Sequence, residues 1–208
     1  ARDWSSDVCS SDLDNTWKPL YGERSKVRDR YNAATLHLSK KDGSFYRLDI
    51  EVRAYDEGIA FRYFFPEHPR ATFHKVVGDL TEYTLPVGTK AWSEQWAQAF
   101  FEHLDVNELK RPVERALTLE LPSGLWTALL DADVDDWCLT KYQASAEKKN
   151  TLTSVMYSPV DVVTYYATPW KVIMTAEKPG ELLEHNDIIQ NLNPPCEIAD
   201  AAEWVRPG

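Results

Sequence analysis

The chain has 208 residues, 43% of them apolar and 27% charged, enough for one domain with a self-sufficient core. Its net charge of −10 and the lack of any basic run argue against a phosphate-tracking surface, so nucleic acid is not expected as a partner. No apolar run approaches the roughly 20 residues of a membrane-spanning helix, and no membrane span is expected. The 8 Trp, 10 Tyr and 7 Phe against only 8 Gly favour strands over a helical bundle.

The first thirteen residues read unlike the rest. Arg2 to Leu13 repeats Ser-Ser-Asp and shows neither helix nor strand period. It also resembles a translated sequencing adapter, so residues 1–13 are expected to be a foreign or disordered leader outside the fold.

From Asp14 the pattern changes. Asn15 to Glu23 reads as extended and then turned, punctuated by Pro19 and Gly22. Thr35 to Leu38 is a short alternating strand, and Lys41-Asp42-Gly43 is a hairpin turn. Leu48, Ile50, Val52 and Ala54 alternate with Arg47, Asp49, Glu51 and Arg53, a period of two with one wet face. Asp56-Glu57-Gly58 turns the chain, and Ile59 to Phe65 returns as an aromatic strand ended by Pro66.

Thr81 to Leu85 predicts another strand. Ala91 to His103 follows, with Trp92, Trp96, Phe100 and Phe101 set among Glu94, Gln95, Gln98 and Glu102. Aromatic faces beside oxygen-rich side chains suit a sugar, although an aromatic core segment has the same composition. Trp92, Trp96 and Phe100 recur at helical spacing with Ser93 as a cap; a loop or irregular strand lining a cleft is the competing reading.

Strands are further expected over Leu117–Leu121, Leu125–Leu130, Leu152–Tyr157, Trp170–Ala176 and Ile188–Asn193, with one helical turn at Pro179–Glu184. Many short strands between turn signals define an all-β sandwich. Arg206-Pro207-Gly208 reads as a connector towards a further domain. Cys9, Cys138 and Cys196 match neither a zinc spacing nor a disulfide framework, and the five histidines are scattered. Of 33 acidic residues no pair stands out as the two carboxyls of a glycosidase, and no serine-elbow or phosphate-loop motif is present.

Several blocks resemble the N-terminal β-super-sandwich domain of glycoside hydrolase family 97, a family of α-glucosidases and α-galactosidases. They are Trp17–Glu23 with Val27–Asn32, Asp56–Tyr63, Thr168–Met174, Asn191–Asp200 and Trp204–Gly208. The resemblance covers residues 14–208 and implies a galactose-mutarotase-like all-β fold, incomplete at its N-terminal edge. It implies periplasmic or extracellular residence and an α-linked oligosaccharide substrate. The family's catalytic (β/α)₈ barrel, which carries the catalytic carboxyls, lies beyond these blocks and would be the intramolecular partner. On its own the chain is therefore expected to be inactive, with no catalytic residue of its own. In the family the N-terminal domain lends one glutamate to a calcium ion held among barrel carboxylates, and Glu94 matches that position. A stand-alone carbohydrate-binding module is the alternative.

Overall fold

The computed structural model describes residues 4–20, 22–44, 46–70, 73–198 and 200–204. Among these residues the chain begins with a meander of long strands: β1 (Trp4–Trp17), β2 (Val27–Lys40), β3 (Arg47–Tyr55) and β4 (Gly58–Phe65). Shorter strands follow: β5 (Phe73–Val76), β6 (Glu82–Thr84), β7 (Lys90–Ser93), β8 (Glu102–Asp105), β9 (Leu117–Glu120) and β10 (Trp126–Ala132). The last are β11 (Thr140–Ala144), β12 (Thr151–Met156), β13 (Val160–Val163), β14 (Tyr166–Ala167) and β15 (Trp170–Ala176). Three short helices close the chain: α1 (Glu181–Glu184), α2 (Asp187–Leu192) and α3 (Ala201–Trp204).

One large antiparallel sheet runs in the order β1-β2-β3-β4-β15-β10-β9-β7-β8, with β14 paired to β4. A second sheet, β11-β12-β6, lies apart from it, and β13 pairs with β5. Side chains alternate across a strand, so the two faces of β10 and β15 can be read separately. Ala128, Ala132, Trp170, Val172, Met174 and Ala176 face α1 and α2, meeting Leu182, Ile188 and Leu192. Leu129, on the other face, joins Leu117, Leu119, Tyr83, Tyr142 and Leu152 between the two sheets. The central strands are thus buried on both sides, which is why Trp170–Ala176 reads as a nearly unbroken apolar run. The architecture is an all-β sandwich with a helical cover on one outer face.

The apolar strand carries one cation inward. Lys171 is buried, ion-paired to Asp79, and directly opposite Asp131 in the β10–β15 register. Asp131 is held by Arg115 at 2.7 Å and by the Thr140 hydroxyl. Burial pushes the Asp79 carboxyl up, but the Lys171 charge and donors from Lys171 and Thr81 outweigh it and hold the group below its ordinary range. Burial also pushes the Tyr83 and Tyr142 phenols well above theirs.

Three elements differ from the sequence reading. Residues 4–13, expected to lie outside the fold, continue through Trp17 as β1, paired along β2 from Trp4↔Lys40 to Trp17↔Val27. Residues 5–16 are all exposed, so the strand is held by its backbone ladder, which requires no apolar period. β2 is fourteen residues rather than the short Thr35–Leu38 segment, because it pairs β1 on one side and β3 on the other. Ile188–Leu192 is a helix and not a strand: Ile188 and Leu192, four apart, fall on one face and seal the sheet. The expected strands over Arg47–Ala54, Ile59–Phe65 and Trp170–Ala176 form in place, as does the helical turn at Glu181–Glu184. The ends of the family-like blocks at Tyr21, Ala199 and Val205–Gly208, and residues 1–3, lie outside the described residues.

Candidate functional site

The aromatic stretch leaves the sheet at the end of β7. Ala91 and Ser93 point into the core and are buried, while Trp92 points to the opposite face. Trp92 stacks on its cross-strand partner His103 with ring centroids 4.2 Å apart, and His103 Nε2 lies 3.2 Å from Glu120. After Ser93 the chain forms a loop over residues 94–101 and not a helix. Ser93 is buried in the core and pairs with Glu102 across the β7–β8 hairpin, so residues 94–101 serve as the connection between the two strands.

The base of this loop is stitched to distant strands. The Glu114 N–H donates to the Glu94 carbonyl at 2.8 Å, and Lys141 Nζ donates to the Gln95 carbonyl at 2.8 Å. Lys141 also pairs with Glu114 at 2.7 Å, with both side chains largely out of water. The Glu94 backbone is therefore fixed, yet its carboxylate makes no hydrogen bond or ion pair among the described residues. Past this base the rings stand free: Trp96 is 53% exposed, Phe101 64% and Phe100 95%.

Two clefts flank the loop. One of about 800 Å³ is lined by Gln95, Glu102, Leu104, Asn107, Lys110 and Arg111. The other, of about 380 Å³, is lined by Gln95, Trp96, Arg111, Lys141, Met156 and Tyr157. Asp105 caps the short 3-10 helix Val106–Glu108 that walls the first cleft. Sequence reasoning singled out residues 91–103 but missed Arg111, Glu114, Lys141 and Tyr157. These come from other strands and loops, and no local motif marks them.

Among the described residues no group of three or more histidine, cysteine or carboxylate side chains could hold a metal ion. The other histidines sit apart from the site: His37 beside Asp49, His68 against the Ser44 carbonyl, His74 on β5 and His185 after α1. The three cysteines are free thiols. No helix among the described residues is long and apolar enough to cross a membrane.

These features define a β-sandwich domain with an exposed aromatic loop beside the unpaired Glu94 carboxylate. The chain belongs to the N-terminal domain family of glycoside hydrolase family 97: the family described as "Glycosyl-hydrolase 97 N-terminal" matches residues 5–195. The match begins inside β1. A family 97 enzyme from Pseudoalteromonas sp. strain K8 in complex with panose superposes with a TM-score of 0.90 at 22% identity, over 99% of this chain and 32% of the other. The same enzyme in complex with acarbose gives the same values. A β-arabinopyranosidase superposes with a TM-score of 0.74 at 17% identity, over 84% of this chain and 32% of the other. The chain thus spans about a third of the length of the enzymes it resembles.

Proposed function

We propose that this chain is the N-terminal domain of an exo-acting α-glycosidase, an α-glucosidase or α-galactosidase, in which it walls the active-site pocket and contributes Glu94 to a calcium ion. The observation that carries this reading is the Glu94 carboxylate, unpartnered among the described residues on a backbone held by Glu114 and Lys141. Its oxygens reach solvent, so water satisfies them in this domain and a ligand can take that water's place.

Calcium takes about six to eight oxygen ligands, of which this reading assigns one to the chain, the Glu94 carboxylate. The donor type fits the ion, and the rest of the shell would come from the remaining two thirds of the enzyme, a (β/α)₈ barrel in this reading. A calcium ion bound there would act as a Lewis acid. The chain's own residues have simpler tasks. Glu94 presents a carboxylate on a held backbone, Gln95 and Arg111 line the clefts beside it, and Trp96 borders the smaller one. The catalytic carboxyls, in this reading, belong to the barrel, and the enzyme works in the periplasm or outside the cell. Support for an oligosaccharide substrate comes from the panose and acarbose complexes of the Pseudoalteromonas enzyme.

The exposed rings also favour a second reading, a stand-alone carbohydrate-binding module. Calorimetric titration of the 208-residue chain separates the two. The domain reading expects no binding of malto-oligosaccharides and none of micromolar calcium. Saturable binding of a malto-oligosaccharide by the chain alone would favour the module.

A further inference from the structure

The least covered apolar side chains beside Glu94 are Phe100 and Phe101, at 95% and 64% exposed, with Trp96 at 53% just before them. They stand at the free end of a loop whose base is fixed by the Glu114 and Lys141 contacts. Tyr157, 76% exposed, borders the smaller cleft on the other side of Trp96. Glu102, Lys110 and Arg111 line the clefts beside this loop, none with an ion-pair partner among the described residues. An aromatic centre with a rim of unpaired charges of both signs is the anatomy of a specific protein interface. A sugar platform would present flat ring faces with hydroxyl-matching groups; here two consecutive phenyl rings project from the loop with no polar atom of their own.

We infer that the Phe100–Phe101 prong is the anchor by which this domain docks onto the remaining two thirds of its own polypeptide. The occupant is an apolar socket on the catalytic part, flanked by charges opposite to Glu102 and Arg111. This inference rests on the reading of the chain as one domain of a larger enzyme, because relatives of the same fold run to about three times its length. It makes the prong a device that fixes the wall of the pocket relative to the catalytic groups. It assigns no ligand role to the rings themselves.

The test uses Phe100→Ala/Phe101→Ala in a full-length enzyme carrying this chain, at saturating calcium, beside the same pair in the 208-residue chain. In the short chain the midpoint of unfolding moves little, because Phe100 is 95% and Phe101 64% exposed there. In the full-length enzyme the single calorimetric transition splits in two, the interdomain boundary opens to limited proteolysis, and kcat/KM falls at least tenfold. Glu94→Gln in the same enzyme keeps one transition, so failure of the calcium reading is seen separately. A full-length double variant that unfolds in one unshifted transition overturns the inference. So does a short chain that dimerises through these rings while the full-length enzyme is unaffected.

Discussion

Replacing Lys171 by Met perturbs the most buried cation described in the sandwich. Its side chain is 6% exposed and paired with Asp79, itself 13% exposed, while Asp131 across the β10–β15 pair is 4% exposed. Methionine keeps most of the stem's packing and removes the charge. Asp79 then retains only the Thr81 N–H at 3.0 Å and the Thr81 hydroxyl at 2.6 Å. Removing one partner of a buried ion pair costs about 3–5 kcal/mol. At about 2–4 °C per kcal/mol for a domain of this size, the midpoint should fall by roughly 6–20 °C. The pH dependence has a definite sign. Asp79 is held below the ordinary carboxylate range despite its burial. Its contribution is therefore present above the unfolded value of about 3.9 and is lost as pH falls through the folded value. In the variant burial acts unopposed by Lys171, so the deficit is largest at neutral pH and shrinks in acid, where a protonated Asp79 needs no cation. Lys171→Met/Asp79→Asn should recover part of the loss. Urea unfolding at pH 7 and pH 4 measures both effects. A loss under about 1 kcal/mol at pH 7, or a deficit independent of pH, would refute the reasoning.

Two further outcomes follow from contacts in the fold. Gly58→Ala places a Cβ against the Ile173 carbonyl oxygen, well inside contact distance, and 3.0 Å from Met174 Cα. Because that neighbour is backbone and cannot swing away, the variant should lose about 1–3 kcal/mol in denaturant unfolding. Asn191→Ala removes the acceptor of the Trp17 indole N–H at 2.8 Å and the donor to the Arg28 carbonyl at 2.9 Å. It should lose about 1–3 kcal/mol and speed hydrogen exchange at the Trp17 indole; unchanged exchange there would show that α2 does not hold β1 and β2.

The strands that could be read from sequence are those with charges confined to one face or a sharp end, although the face of Arg47–Ala54 expected to be wet is partly covered. Arg47–Tyr55 alternates because its charges share one face and find partners there, Asp49 with His37, Glu51 with Arg62 and Arg53 over the Tyr31 and Trp170 rings. The return at Gly58 is marked by the turn before it. Ile188–Leu192 deceived because a short apolar run carries no usable period; only its position over Trp170 and Ala132 makes it a helix. β1 was illegible for a different reason: backbone pairing to an existing edge leaves no trace in side-chain chemistry. At the candidate site, the aromatic loop could be read from composition. Glu94 was distinguished by resemblance alone, among 33 acidic residues. The Glu114 and Lys141 contacts that fix it join remote strands and follow from the fold.

The calcium dependence of turnover in a full-length enzyme carrying this chain, with and without Glu94→Gln, tests the central claim most directly. Release of p-nitrophenol from the α-glucoside and the α-galactoside would be followed while free calcium is buffered from nanomolar to millimolar. Glutamine keeps the side chain's size and one oxygen but removes its charge, and calcium affinity depends on ligand charge. The account expects the calcium midpoint to move at least tenfold higher and turnover at low calcium to fall with it. An unchanged midpoint with unchanged turnover would contradict it.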